Sequence, residues 1–405
     1  MTTEVKKQSP LHAVTRVLKK NTMVVALVAV MVLFELLIVF VGGKPWSQAL
    51  LTPANITNLI SQNSYVVILA VGMLMCILTG GNIDLSVGSV VALVGAVAGT
   101  LIVNMKMNIY LAIVVCLLVG LAIGVWQAFW IAYMRIPPFI VTLAGMLLWR
   151  GLAQVILNGL TISGFPENYL GYFTSYLPGK DAGSGVILTV TLLVGAVVCA
   201  LFVASQVITR IKRKRKNYET QGMMAFAVKI IFLCAVIMAL AIFLGLHKGL
   251  PTILILLAVI VLVYGYYTAN TVPGRHLYAM GGNEKAAKLS GINTNRTMFC
   301  AYTNMAFLAA VAALVVTARF NSAAPSAGNS YELDAIGACF IGGASAYGGT
   351  GTVGGAVIGA VFLGVINNGM SILGVDSNWQ KAVKGLVLLA AVIFDVVSKR
   401  RSQAE

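Results

Sequence analysis

Long apolar runs follow one another along this chain, with short polar connections between them. A helix needs roughly 20 mostly apolar residues to cross the hydrocarbon core of a bilayer, and about eleven runs satisfy that length. Their predicted bounds are residues 23–42, 58–79, 84–104, 108–134, 138–158, 185–209, 226–246, 250–271, 297–318, 354–374 and 379–398. Because lipid offers no hydrogen-bond partner to a free backbone group, runs of this length must be helical. The sequence therefore predicts an all-α fold, a polytopic membrane helix bundle.

The composition agrees with this class and explains the net charge. Only 10% of the residues are charged and the mean hydropathy is +0.92, whereas about a quarter of a soluble domain is charged. The formal net charge of +16 would suggest a nucleic-acid partner in a soluble chain. Here the basic residues cluster between apolar runs, as expected where positive charge orients helices in a bilayer. We therefore predict contact with the lipid bilayer and no nucleic-acid partner.

The basic residues also predict where the two ends of the chain lie. Both ends are basic, as cytoplasmic segments are, yet an odd number of spans would place them on opposite sides. These cations are Lys6, Lys7, Arg16, Lys19 and Lys20 near the start and Lys399, Arg400 and Arg401 near the end. The missing crossing is assigned to 332–348, whose apolar part is too short to span and breaks up in glycines. Non-helical backbone at that depth is tolerated only inside protein or along a wet cavity. We predict a half-helix or broken span there, with both termini cytoplasmic.

This topology divides the chain into three parts. They are a cytoplasmic N-terminal segment (1–22), a single transmembrane domain (23–398) and a cytoplasmic tail (399–405). The basic run 210–216 and the loop 273–296 then lie on the inner side, and the loop 160–184 lies outside. Since no segment is large enough for a soluble core, any function must use helices and short loops.

Several familiar site patterns are absent or out of context. Residues 349–354, GTGTVG, match GxGxxG, but a bilayer-length apolar run follows where a dinucleotide fold needs a helix and a second strand. The sequence has no P-loop and no HExxH, and its histidines lack a carboxylate or cysteine partner nearby. The six cysteines lie in apolar runs without CxxC spacing. We predict no catalytic residue, no metal site and no cofactor.

The polar loop 273–296 carries the signals of a short capped helix. Asn283 suits the N-cap, Glu284 suits the positive first turn, and Gly291 suits the left-handed C′ position. The small and apolar residues between these ends are Ala286, Ala287 and Leu289, with Gly281 and Gly282 in front. A two-turn helix with such a surface is suited to the groove of another protein.

Four stretches together resemble one family of membrane proteins. NEKAAKLSG resembles the EAA-type coupling loop of ABC importer permeases. GNIDLSVGS, PPFIVTLAGM, GRHLYAMGGNEKAAKLSGIN and YELDAIGACFIGGASAYGGTGTVGGAVIGA are similar to the ribose, galactose and xylose branch of these permeases. The resemblance covers residues 55–400, and the added pair of spans near 185–246 is similar to the xylose and multiple-monosaccharide permeases.

The resemblance implies the permease subunit of a monosaccharide importer in the plasma (inner) membrane. It implies an ATP-binding cassette ATPase subunit, an extracytoplasmic sugar-binding protein, and a second permease subunit that we expect to be an identical copy. ATP hydrolysis is then expected in the separate ATPase subunit, so this chain is not an enzyme. The residues implied to couple to the ATPase are Gly282, Asn283, Glu284, Ala286, Ala287, Leu289 and Gly291.

Asp84 has two interpretations. An acid inside a span is costly and is a functional candidate by default. At the start of a span, its carboxylate could instead accept the backbone N–H of Ser86 or Val87 and cap the helix. Other candidates for the sugar path are Glu35 in the first span and the mid-span amides Asn367 and Asn368, although such amides also join helices.

Two further function classes stay open beside the importer. An ion-coupled secondary transporter would use Asp84 or Glu35 as a proton or cation site. The predicted docking helix and the scarcity of paired intramembrane charges disfavour it. An intramembrane enzyme would need a catalytic set of residues, which the sequence lacks. The leading prediction is ATP-driven import of a monosaccharide, a xylose-like pentose or a hexose.

Overall fold

The computed structural model describes residues 22–179, 182–218 and 222–404. The predicted cytoplasmic residues 1–21, with their cations, lie outside the described residues. The helices are α1 (Thr22–Leu36), α2 (Pro53–Leu78), α3 (Val87–Gly99), α4 (Ile109–Ala132), α5 (Pro138–Leu157), α6 (Glu167–Thr174), α7 (Ser184–Arg215), α8 (Met223–Gly245), α9 (Thr252–Asn270), α10 (Val272–Gly282), α11 (Glu284–Leu289), α12 (Thr294–Phe320), α13 (Tyr331–Ile341), α14 (Val353–Ile372) and α15 (Ser377–Ala404). Short π-helical turns at Leu37–Val41 and Thr100–Asn104 extend α1 and α3.

The predicted polytopic helical bundle is confirmed. Within the described residues, ten helices are long and apolar enough to cross a membrane. Helix α15 occupies the position of the last predicted run, but it extends to Ala404 and carries Lys381, Lys384 and Asp395. Helix α13, with 11 residues, stands where the half-helix was predicted. The side of the membrane on which each end lies stays a prediction.

Helices α2 and α12 form the centre of the bundle. Helix α2 begins at Pro53, earlier than the apolar run, because Thr52 Oγ1 caps it by accepting the Asn55 N–H at 3.3 Å. Helix α12 packs closely on α4, where a Cβ added to Gly120 would lie 2.4 Å from the Ala310 Cβ. Small residues permit this close approach, as is usual where membrane helices associate.

Two helices, α3 and α13, begin inside the bundle, and their N-terminal ends meet. A Cβ on Gly88 would lie 2.1 Å from the Gly328 carbonyl oxygen, so the two backbones touch. The Tyr331 ring stacks on Tyr65, near the middle of α2, with 3.9 Å between ring centroids. Arg150 of α5 donates hydrogen bonds to carbonyl oxygens of the segment that precedes α13. In place of the predicted broken span, the residues that precede Tyr331 already lie inside the bundle, and α13 begins there.

Helices α7 and α8 form a hairpin at the edge of the bundle. They pack mainly on each other, with Gly195 of α7 against Ala241 of α8. The chain leaves and rejoins the bundle at an antiparallel pair of two-residue strands, β2 (Tyr176–Leu177) and β3 (Leu250–Pro251). A second pair joins β1 (Ile162–Ser163) to β4 (Ser322–Ala323). The predicted inserted spans therefore lie beside the bundle and not in its centre.

Candidate functional site

Helix α11 has the two caps that its sequence predicts. The Asn283 side-chain oxygen accepts the N–H of Ala286 at 3.0 Å. Gly291 has a φ of 83°, which is left-handed. Around it, the N–H of Ile292 bonds to the Ala287 carbonyl at 3.1 Å, which is the Schellman arrangement of a helix end. The helix is therefore closed at both ends.

The two sides of α11 differ sharply in exposure. Ala287 is 5% exposed and faces the helix bundle, whereas Leu289 is 90% exposed. Glu284 forms an ion pair with Arg135 of the turn between α4 and α5 at 2.8 Å, and Arg135 also donates to Thr294 at 3.4 Å. The sequence prediction grouped Ala287 with Leu289 on one surface. In the structure Ala287 is buried against the bundle, and Leu289 is exposed on the other side of the helix.

Helix α10, which the sequence analysis did not predict, joins α11 to the centre of the bundle. A Cβ on Gly281 would lie 1.9 Å from the Leu78 carbonyl oxygen and 2.3 Å from the Gly349 nitrogen. Gly349 itself donates its N–H to the Leu78 carbonyl at 3.2 Å. The Tyr278 hydroxyl donates to the Gly351 carbonyl at 2.9 Å. The loop is thus in direct backbone contact with the end of α2 and with the glycine-rich loop before α14.

Asp84 makes the hydrogen bond to the Ser86 N–H that the sequence proposed, but this bond closes the turn before α3, and among the described residues no side chain caps the first turn of the helix itself. Its Oδ1 accepts the backbone N–H of Ser86 at 2.8 Å and the Ser86 hydroxyl at 2.6 Å. Gln127 of α4 donates to the same hydroxyl at 2.8 Å. Asp84 is fully buried, and its Oδ2 has no hydrogen-bond partner among the described residues. The bonds to Oδ1 support a structural role for Asp84, and the unpartnered Oδ2 keeps a role in transport open.

An ion pair between a half-buried lysine and a buried carboxylate ties three helices together beside Tyr65. Lys384 Nζ of α15 lies 2.9 Å from Asp334 Oδ1 of α13. Tyr65 of α2 donates its hydroxyl to Asp334 Oδ2 at 2.9 Å. Asp334 is only 3% exposed. Removal of one partner of such a pair would leave an uncompensated buried charge.

A cavity of about 190 Å³ lies beside the N-terminal half of α2. Its polar lining consists of Asn58, Ser61, Ser64, Thr174 and Arg319, and its aromatic lining of Phe173 and Tyr176. Among the described residues, no carboxylate lies within ion-pair distance of Arg319. Amide, hydroxyl and guanidinium groups can all hydrogen-bond to a polyhydroxylated ligand. The sequence signal for this cavity was the three-residue spacing of Asn58, Ser61 and Ser64 on one helix, which the sequence analysis did not use.

The structure places the other candidates of the sugar path elsewhere. Glu35 accepts the Leu51 N–H at 2.9 Å and so ties α1 to the turn before α2. Asn368 exchanges two hydrogen bonds with Asn55 of α2, at 2.7 and 3.0 Å. Asn367 has a buried Oδ1 without a partner among the described residues. None of these candidates, nor Asp84, lines the cavity. In the described part of the chain, no cluster of His, Cys, Asp and Glu could hold a metal ion.

Comparison with known proteins identifies the family. Residues 55–392 match the family described as branched-chain amino acid transport system / permease component. The chain belongs to this permease family. It is 38% identical over 382 residues to the xylose transport system permease protein of Escherichia coli, which covers 94% of this chain and 92% of that protein. The corresponding protein of Haemophilus influenzae is 36% identical over 353 residues, 87% of this chain and 92% of that protein.

A second type of relative supports the same membership. The ribose import permease protein of Escherichia coli is 34% identical over 366 residues, 90% of this chain and 92% of that protein. No solved structure matches the chain. The predicted resemblance to this permease family is therefore confirmed, and the chain is a multi-pass protein of the inner membrane. These relatives are transport permeases and not enzymes.

Proposed function

We propose that this chain is the permease subunit of an ATP-driven importer that carries a monosaccharide into the cell. Relatives named for xylose and ribose transport support a sugar cargo, and the xylose relative matches nearly the whole length of the chain. We take the cargo to be a xylose-like pentose or a hexose. The observation that carries the proposal is helix α11, capped at both ends and seated on its own bundle, with Leu289 pointing away from it.

Helix α11 is suited to transmit force from a separate ATPase subunit. A helix that is already ordered loses little conformational entropy when it binds a partner. Its contact residues would be Leu289 and the exposed Ala286, with the seat provided by Ala287 and the ion pair of Glu284. Displacement of α11 would pass through Gly281 of α10 to the end of α2, because these parts touch through their backbones.

The cavity beside α2 is our candidate for the external part of the sugar path. Its amide, hydroxyl and guanidinium groups would hydrogen-bond to sugar hydroxyls, and the rings of Phe173 and Tyr176 would contact the apolar face of the sugar. Ser64 of its lining is followed by Tyr65, whose ring stacks on Tyr331. We take this stack as the inner limit of the cavity, because Tyr65 directly follows the lining residue Ser64 and its hydroxyl is held by Asp334.

The importer would contain three kinds of partner beside this chain. An ATP-binding cassette ATPase would bind α11, an extracytoplasmic sugar-binding protein would deliver the sugar, and a second permease subunit, which we take to be an identical copy, would complete the membrane part. ATP hydrolysis would occur in the ATPase subunit.

Reconstitution in proteoliposomes tests the proposal. The permease would be combined with its ATPase and binding protein, and uptake of radiolabelled xylose and ribose would be measured with ATP or with an imposed proton or sodium gradient. We expect uptake that requires ATP and is unaffected by either gradient. Uptake driven by a gradient without ATP would instead support the ion-coupled transporter, which the free Asp84 Oδ2 favours. A Leu289→Asp permease should retain its fold and lose ATP-driven uptake.

A further inference from the structure

The C-terminal end of α7 forms a basic pocket apart from α11 and from the cavity beside α2. This pocket, of about 590 Å³, is lined by Thr209, Lys212, Arg213, Lys216 and Tyr218. The first four residues follow the spacing i, i+3, i+4 and i+7 and therefore share one face of the helix. We call this site the α7 basic pocket.

The backbone at the end of α7 completes the pocket. Asn217 adopts a left-handed conformation with a φ of 54°. The chain then turns back, and the N–H of Tyr218 bonds to the Arg213 carbonyl at 3.1 Å. This Schellman-type turn brings Tyr218 beside the basic face. The pocket is thus built by a defined helix end.

The cations of the pocket have no acidic partner within the described residues. Neither of the described ion pairs involves Lys212, Arg213 or Lys216, and all three are exposed. Like charges three and four positions apart repel one another, so an anion would stabilise this face. Glu219 follows in the sequence but lies outside the described residues. Arg210 differs, because its guanidinium stacks on the Phe226 ring at 4.5 Å and joins α7 to α8.

The pocket begins where the apolar outer surface of α7 ends. Leu201 is 66% exposed and Ile208 is 51% exposed, as expected for side chains that face lipid. The next turn of the helix carries Lys212 and Arg213. A change from exposed aliphatic to exposed basic side chains marks the depth of the phospholipid headgroups.

We propose that the α7 basic pocket binds the headgroup phosphate of an anionic phospholipid. Arg213 would form paired hydrogen bonds to phosphate oxygens, Lys212 and Lys216 would supply charge, and the Tyr218 hydroxyl would donate a further hydrogen bond. The acyl chains would lie along the aliphatic side chains above the pocket. This adjoining apolar surface favours a lipid over free phosphate, and the proposal is independent of the cargo of the permease.

Native mass spectrometry of the detergent-purified full chain tests this site. Binding of phosphatidylglycerol and of phosphatidylcholine would be compared for the wild type and a K212Q/R213Q/K216Q variant. Each cation near an anionic membrane lipid contributes about a fivefold factor to binding. We therefore expect the variant to bind phosphatidylglycerol at least tenfold more weakly, with little change for phosphatidylcholine. Y218F should give a smaller loss in the same direction.

The matched control removes equal charge elsewhere. An R275Q/K285Q/R296Q variant alters three exposed cations on α10, α11 and the first turn of α12 and should keep wild-type binding of phosphatidylglycerol. Equal weakening in both triple variants, or unchanged binding in the pocket variant, would overturn the proposal.

Competition with inorganic phosphate addresses the source of the anion. If phosphate alone displaced the lipid at concentrations near the lipid affinity, the site would be a phosphate site and the lipid assignment would be wrong. Circular dichroism would verify that all variants fold.

Discussion

Replacement of Gly281 by alanine gives a direct test of how α11 is joined to the bundle. The added Cβ would lie 1.9 Å from the Leu78 carbonyl oxygen and 2.3 Å from the Gly349 nitrogen. Cβ atoms essentially never approach another heavy atom within 3.0 Å, so α10 must move away from α2 by about 1 Å. Both neighbours are backbone atoms, which cannot rotate aside as a side chain can.

The expected cost follows from this overpacking. Inserting a methyl group into a closely packed contact typically destabilises a protein by about 1–3 kcal/mol. Because α10 carries α11, its displacement also moves Leu289 relative to the transmembrane helices. We expect Gly281→Ala to insert into the membrane, unfold at lower temperature than the wild type, and show a clear loss of ATP-driven uptake.

The neighbouring residue supplies a matched control. A Cβ on Gly282 would meet no atom within 4 Å, so Gly282→Ala adds the same methyl group to the same helix without a clash. Alanine is also the better helix former, by about 0.8–1.0 kcal/mol. Thermal unfolding in detergent, capture of the ATPase subunit and uptake in proteoliposomes would be measured for both. Equal stability and uptake in the two variants would refute the proposed contact between α10 and the end of α2.

Further predictions concern the partner surface, the buried acids and the topology. Leu289→Asp should abolish capture of the ATPase while changing the unfolding temperature little, because the side chain is 90% exposed. Asp84→Asn should keep most uptake, since an amide oxygen still accepts the Ser86 N–H. Asp84→Leu should lower the folded yield, because the Ser86 N–H loses its acceptor at a cost of about 1–3 kcal/mol. Normal insertion of Asp84→Asn without any uptake would contradict the structural role of Asp84. Lys384→Met should destabilise the fold by about 1–3 kcal/mol in chemical unfolding, since it leaves the buried Asp334 carboxylate with the Tyr65 hydroxyl as its hydrogen-bond donor. An unchanged unfolding midpoint would argue against the pair. The topology can be tested in a chain without native cysteines, with a membrane-impermeant thiol reagent applied from outside the cell. The reagent should label a cysteine introduced at position 175 and not one at position 290. The reverse result would show that the predicted orientation in the membrane is wrong.

Hydropathy predicted most helices because the length of an apolar run is a local property. Its errors occurred where polar residues continue a helix. Helix α2 starts at Pro53, ahead of the predicted apolar run, because Thr52 caps it there. Helix α10 was missed because its sequence, VPGRHLYAMGG, has no long apolar run. The caps at Asn283 and Gly291 were predictable, since a cap depends on residues within a few positions of one another.

The candidate sites were less predictable because they depend on contacts between distant segments. Asp334 pairs with Lys384 and with Tyr65, and Glu284 pairs with Arg135, only after the helices have packed. A single sequence does not specify such pairs. The inward turn of Ala287 was missed for the same reason, because the side that α11 presents depends on how α10 seats it.

The strand pair at the base of the α7 and α8 hairpin has a consequence for how this chain can change in length. Tyr176 lies opposite Pro251 and Leu177 opposite Leu250, so the hairpin departs and returns at adjacent points. Few residues of the described hairpin are buried, and they lie in its half nearer the strand pair, among them Thr191 of α7 and Ala241 and Leu244 of α8. A tight turn in place of residues 178–249 would therefore close the gap without rerouting any neighbouring segment. The hairpin is in this sense a removable module, and its contacts with surrounding lipid can diverge while the machinery that moves the cargo stays the same.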